Sequence, residues 1–136
     1  MSMNMLNTQV DDSGLTELLQ KNGAALIAYG PLAEGLLSTR YLEGIPDNFR
    51  IHHTNRELLA DGEAALVAKL KALNELALER GQTLSQLALA WLLRDPVVAS
   101  VIIGTTSIEH LDDNLKALEQ LEFSDEEQIK ITELLH

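Results

Sequence analysis

The chain has 136 residues, with 10 lysines and arginines against 21 aspartates and glutamates, giving a formal charge of −11. This length accommodates one domain with a modest core and excludes a complete (β/α)8 barrel, which takes about 250 residues. The acidity argues against nucleic acid and anionic membrane as partners, the lack of cysteine excludes disulfides and thiolate zinc sites, and the N-terminus MSMNMLNTQVDDSG reads as neither signal peptide nor membrane span, so a soluble, cytoplasmic protein is expected.

Taken in chain order, Asp11-Asp12-Ser13-Gly14 is a helix-start signal, with carboxylates at the positive end of the dipole. The helix then shows Leu15, Leu18 and Leu19 on one face and stops at Asn22-Gly23. The short apolar run 24–29 lies between Gly23 and Gly30-Pro31, which predicts a strand buried on both faces of a parallel sheet. Residues 31–55 carry glycines, prolines, Arg40, Arg50, His52 and His53, and read as a long functional loop.

Helical spacing follows from Arg56 to Glu79, with Leu59, Leu66, Leu70, Leu73 and Leu76 repeating, and Gly81 ends it. Thr83, with Gln86 three positions on, predicts a capping box opening a second helix, which Asp95-Pro96 closes. Residues 97–103 form a second β-branched strand ending at Gly104 and the hydroxyl-rich turn Thr105-Thr106-Ser107. The next helix is expected over 108–121 with Leu111, Leu115 and Leu118 inward, and Ser124 caps a terminal helix over 124–136. Strands alternating with helices mean an α/β fold with parallel strands. Only two strands are clear, with Met3 to Leu6 as the end of a third. A sheet this small leaves open edges, so the unit is expected to belong to something larger.

Two segments carry candidate chemistry. Tyr29 to Tyr41 leaves the end of the first strand with Gly30, Gly35, hydroxyls and Arg40. It is either a cradle for a phosphorylated ligand or a plain turn with a surface arginine. Gly104 to Asn114 joins a strand end directly to a helix N-terminus. It is either an anion site, with Asp113 and Asn114 one turn on to hydrogen-bond a base or ribose, or an ordinary capped helix. The adjacent His52 and His53 lack companion ligands, so no metal site is expected. Trp91 reads as core, and Ser13, Thr83 and Ser124 as caps rather than nucleophiles.

Together these segments resemble the C-terminal part of an aldo-keto reductase, in the branch of bacterial glyceraldehyde-3-phosphate-type reductases and potassium-channel β subunits. The likeness runs through Tyr29-Gly30-Pro31-Leu32-Ala33-Glu34-Gly35-Leu36, then Thr39-Arg40-Tyr41, Gly44 to Arg50, Leu87 to Arg94, and Ile103 to Asn114. It covers nearly all of 1–136. It implies a partial (β/α)8 TIM barrel, the last two to three β/α units, with strands seven and eight at 24–29 and 97–103.

The resemblance also implies roles around a dinucleotide, NADP(H) or NAD(H). Tyr29 stacks on the nicotinamide. Gly30, Pro31, Leu32 and Gly35 approach the cofactor through backbone, and Arg40 and Arg50 cover the pyrophosphate and adenosine side. Tyr41 also falls at a cofactor position. Gly104 and Thr106 lie near the ribose 2′-phosphate, and His110, Asp113 and Asn114 surround the phosphate and adenine. Histidine lacks the fork of an arginine, so the grip on a 2′-phosphate is expected to be weak. The family's catalytic tetrad of Asp, Tyr, Lys and His comes from the first half of the barrel, so no catalytic residue is expected here and the chain alone is expected to be inactive. Two readings follow. One is part of a carbonyl reductase completed by a complementary N-terminal half-barrel. The other is a non-catalytic nucleotide-binding module, a homo-oligomer, or a truncated fragment.

Overall fold

A computed structural model describes all 136 residues. The order is α1 (Gln9–Asp12), α2 (Leu15–Lys21), β1 (Leu26–Tyr29), a long connection, α3 (Ile51–Thr54), α4 (Glu63–Glu79), α5 (Leu84–Leu93), β2 (Val98–Ile102), α6 (Ile108–Leu115) and α7 (Asp125–Leu135). The expected α/β alternation is present. Strand β1 pairs parallel with β2, aligning Ala28 with Val101 and Tyr29 with Ile102. The N-terminal residues lie along the other edge of β1, with a parallel bridge from Ser2 to Tyr29. The Met3 amide donates to the Tyr29 carbonyl at 3.2 Å, and the Tyr29 amide to the Met1 carbonyl at 2.9 Å. The expected third strand at 3–6 is therefore only this bridge. Beyond it the chain turns away, because the Asn4 side chain accepts from the Leu6 amide at 2.9 Å.

Several boundaries differ from expectation for local reasons. The first helix is split, because Gly14 takes φ +75° between its two pieces. The expected helix from Arg56 begins only at Glu63: residues 56–59 make a 3-10 turn, and Gly62 at φ +94° interrupts before α4. The expected 108–121 helix tightens into a 3-10 turn at 116–119. The long loop is not structureless, since short 3-10 turns form at 33–35 and 39–41 before α3.

Two burial expectations are corrected. Strand β1 buries Leu26 and Ala28 but leaves Ile27 and Tyr29 each 55% exposed, and Ile102 of β2 is 59% exposed. One sheet face packs on α5 and the N-terminal helices, so β1 alternates and β2 fully buries only Val98, instead of both strands being buried on both sides. Leu111, Leu115 and Leu118 are likewise exposed, not inward. The buried residues of that stretch are Asn114 and Ala117, which turn its apolar stripe outward.

The main core lies under α4, α5 and α7. Leu66, Leu70, Leu73 and Ala77 form one stripe of α4 and meet Leu84, Leu87, Ala88 and Trp91 of α5. The expected capping box opens α5: the Thr83 side chain accepts from the Gln86 amide at 3.2 Å, and Gln86 accepts from the Thr83 amide at 3.0 Å. A smaller core of Met3, Val10, Leu26, Ala28, Leu92, Val97 and Val98 fixes the sheet to the end of α5.

Arg80 ties these layers together. Its buried guanidinium donates to the Gln82 side chain, to the Gln120 and Glu122 carbonyls, and to the Glu127 carboxylate. It also lies 3.8 Å over the Phe123 ring. Replacing Arg80 by alanine removes the donor shared by the Gln120 and Glu122 carbonyls and leaves Glu127 without its cation, and is expected to lower unfolding stability by about 1–3 kcal/mol, read as a drop in the urea midpoint.

Asp11, expected as a free helix-start charge, is instead partly buried. Burial pushes its carboxyl above the usual range, with Arg94 opposing and Asp95 and Asp12 reinforcing that shift. A raised folded-state value means the protonated acid favours the fold, and this contribution is lost as pH rises through it. Asp11→Asn is therefore expected to raise the melting temperature at neutral pH, with the gain shrinking as pH falls through the Asp11 titration.

Candidate functional site

Parallel strands deliver the turns after β1 and after β2 to the same end of the sheet, where α/β folds place their ligands. The turn after β1 is unusual. Ala33 and Glu34 take φ of +50° and +60°, followed by Gly35 at +92°. A left-handed backbone costs a non-glycine residue about 1–2 kcal/mol. One side chain offsets this strain. Glu34 accepts from Asn55 Nδ2 at 2.7 Å and from Thr54 Oγ1 at 3.1 Å, and pairs with Arg50 Nε at 3.0 Å. The Arg50 side chain is 68% exposed, so the ion pair alone is worth only about 0–1 kcal/mol. Bonds to a charged group contribute about 1.5–3 kcal/mol each before solvent screening. Two left-handed residues cost about 2–4 kcal/mol, a strain that several bonds to one carboxylate are large enough to offset.

This turn is a ridge between two clefts. The first, of about 550 Å³, is lined by Ser2, Asn4, Tyr29, Gly30, Glu34, Thr54 and Asn55 among others. Its lining offers amides and hydroxyls, with the Glu34 and Glu57 carboxylates and no lysine or arginine. The second, of about 600 Å³, has Leu32, Gly35 and Arg40 on one wall, Thr83 and Ser85 at its base, and Gly104, Thr105, His110, Asp113 and Asn114 on the other. Arg40 is its one permanent cation.

The far wall of the second cleft is the start of α6. Ser107 caps it by accepting from the His110 amide at 3.3 Å, and Thr105 Oγ1 accepts from the Ser107 amide at 3.1 Å. The amides of Ile108 and Glu109 have no acceptor within the chain. They add to the positive end of the helix dipole, an arrangement that favours an anion. Asn114 is 9% exposed, and its carboxamide has no partner within the chain. Its polar atoms open onto the cleft, where they are free to bond a ligand.

Asp113 is differently placed. Gln86 Nε2 donates to its carbonyl at 2.8 Å and to its carboxylate at 3.1 Å, and Thr83 Oγ1 lies 3.4 Å from the other carboxylate oxygen. Its charge sits on the N-terminus of α5, where the helix dipole favours it.

The second cleft thus gathers Leu32, Gly35, Arg40, Gly104, His110, Asp113 and Asn114 of the expected site. Tyr29 and Gly30 face the first cleft, and Pro31 is buried between the two. Arg50 is held on Glu34 and lines neither cleft, and Thr106 is exposed beside Thr105, outside both linings. Tyr41 is corrected: it is buried in the core with its ring centroid 4.6 Å from that of Phe49. Sequence reasoning missed Glu34, Ser85 and the attachment of Asp113 to the capping box. The box itself was visible as Thr83-x-x-Gln86, but nothing local announces a partner on another helix.

The aldo/keto reductase family model matches residues 1–136. The L-glyceraldehyde 3-phosphate reductases of Escherichia coli K12 and O157:H7 are each 44% identical over 134 residues, covering 96% of this chain and 39% of theirs. The chain therefore spans about two-fifths of the length of the curated relatives it matches. An aldo-keto reductase from Bacillus halodurans, solved in its holo form, aligns with a TM-score of 0.70 at 28% identity, over 98% of this chain and 41% of that one. A glycerol dehydrogenase from Gluconobacter oxydans aligns with a TM-score of 0.82 at 19% identity, over 98% of this chain and 40% of its own, a likeness of fold. No helix is long and apolar enough to cross a membrane.

Asp113→Ala removes the carboxylate that accepts from Gln86 and Thr83 but keeps the backbone carbonyl that accepts from Gln86, and is expected to lower stability by about 1 kcal/mol, visible in the urea midpoint with little change in slope.

Proposed function

The chain belongs to the aldo/keto reductase family, and from that premise we propose that its second cleft holds the phosphates and adenosine of a nicotinamide dinucleotide. The observation that carries this reading is convergence. Leu32, Gly35 and Arg40 meet Gly104, His110 and Asn114 in one cleft at the carboxyl ends of adjacent parallel strands. The fit is chemical as well as spatial. The free amides at the start of α6 and the Arg40 guanidinium suit a pyrophosphate. The unpartnered Asn114 carboxamide offers a donor and an acceptor to the adenine edge. Tyr29, exposed at the end of β1, supplies an aromatic face for the nicotinamide.

Such a dinucleotide, when bound, would supply the hydride for a carbonyl carbon. This chain's own part is to orient the ring against Tyr29 and to anchor the far end of the cofactor at α6. The carbonyl oxygen also needs a proton. Tyr41 is buried against Phe49, and this reading uses Tyr29 to face the nicotinamide, so it assigns the acid to neither tyrosine and looks for it on the strands that complete the barrel. In this reading the segment corresponds to the last β/α units of a (β/α)8 barrel and reduces no carbonyl unaided. The exposed Ile27 and Ile102 support a partner for the sheet's open face, which we take to be the remaining barrel strands. The name of the E. coli relatives makes a small aldehyde such as L-glyceraldehyde 3-phosphate the first substrate to try with the completed barrel.

Calorimetric titration with NADPH and NADH tests the proposal. Saturable one-site binding is expected, with at most a modest preference for NADPH, because Arg40, the cleft's one permanent cation, is assigned to the pyrophosphate. Asn114→Ala is expected to weaken both cofactors about tenfold, or about 1.4 kcal/mol. Arg40→Ala is expected to weaken NADPH and NADH alike, because the reading places Arg40 on the pyrophosphate that both share. A chain that unfolds cooperatively yet binds neither dinucleotide overturns the reading.

A further inference from the structure

We infer that Glu34 is a positioning residue for the cofactor cleft, and that Arg50 acts through Glu34 rather than on a phosphate. This inference rests on the cofactor reading of the second cleft. Three observations converge on it.

The ridge between the clefts has its shape only because consecutive non-glycine residues, Ala33 and Glu34, hold left-handed backbone. Such strain persists where surrounding contacts over-determine it, and it gathers at functional sites. The surrounding contacts here all reach one carboxylate. Arg50, Thr54 and Asn55 lie on the far side of the long connection, and each bonds Glu34. The Thr54 amide donates to the Arg50 carbonyl at 2.9 Å and the Asn55 amide to the Ile51 carbonyl at 3.3 Å, which gathers the three donors on one short helical turn.

The ridge in turn builds a wall of the second cleft. The amides of Gly35 and Leu37 both donate to the Leu32 carbonyl, at 3.0 and 3.1 Å, and the Leu36 amide donates to the Ala33 carbonyl at 3.1 Å. These bonds close around the strained pair and place Leu32 and Gly35, which line the cleft. Glu34 itself faces the first cleft, so it reaches the cofactor site through the backbone and not by contact. Arg50, which the family resemblance places on the pyrophosphate and adenosine side, is already held by this clasp and lines neither cleft.

A double-mutant cycle on Glu34→Ala and Arg50→Ala decides between positioning and direct binding. If Arg50 acts through Glu34, each single variant weakens NADPH and NADH by the same factor, severalfold for Arg50→Ala and about tenfold for Glu34→Ala. The double variant is then no weaker than Glu34→Ala, and Glu34→Gln, which keeps an acceptor for Asn55 or Thr54, recovers part of the loss. Arg50→Ala that weakens NADPH selectively, or adds to Glu34→Ala, overturns the inference and makes Arg50 a phosphate ligand.

Amide hydrogen exchange without cofactor separates this result from failure of the cofactor reading. Glu34→Ala is expected to speed exchange at Gly35, Leu36 and Leu37 at least tenfold, while the amides of α4 keep their protection. Unchanged exchange at those three amides removes the clasp whatever the titrations show. Faster exchange in a protein that binds no dinucleotide keeps the clasp and overturns both the cofactor reading and the role assigned to Glu34 in serving it.

Discussion

Parallel pairing of β1 with β2 is the constraint on which the rest of the arrangement depends. Because the strands run the same way, the turns that follow them leave the same end of the sheet. Segments far apart in sequence, 30–40 and 104–114, thereby become opposite walls of one cleft. An antiparallel pair would send them to opposite ends. Parallel pairing needs a long crossover, and here α3, α4 and α5 supply it while building the main core. Core and site are consequences of the same connection.

Two polar cross-links then convert that placement into a defined geometry. Glu34 joins the turn after β1 to the short helix at 51–54. Asp113 joins the helix after β2 to the capping box of α5. Both carboxylates are acidic residues in a chain of net charge −11, where surplus acid looks like surface solubility. Each is instead bonded to donors from a different element. Arg80 does the reverse, a cation using carbonyls and one carboxylate to bind α7 across the end of α4. A few buried or half-buried charges with several partners each thus fix how the helices sit. The leucine stripes alone set only which faces meet.

Much of this was legible. Gly-rich turns after two β-branched runs gave both walls of the cleft, and the Thr83-x-x-Gln86 spacing gave the cap of α5. Helix bounds were less legible where one glycine breaks a long apolar repeat, as at Gly14 and Gly62. Tyr41 was misplaced because an aromatic beside Arg40 looks the same whether it faces a ligand or packs on Phe49. The outward stripe of Leu111, Leu115 and Leu118 was misread because helical spacing identifies an apolar face without saying what covers it.

By itself, the sequence determined the α/β alternation, the family and the two segments that meet at the site, since periodicity, glycine placement and capping are local in the chain. Only the tertiary structure decided what each charged or aromatic side chain does there. It put Arg50 on Glu34, Asp113 on Gln86 and Tyr41 on Phe49, and it left the Asn114 carboxamide without a partner. The reason is physical. A side chain's role is set by the nearest group of complementary charge or shape, and in each of these cases that group comes from elsewhere in the fold.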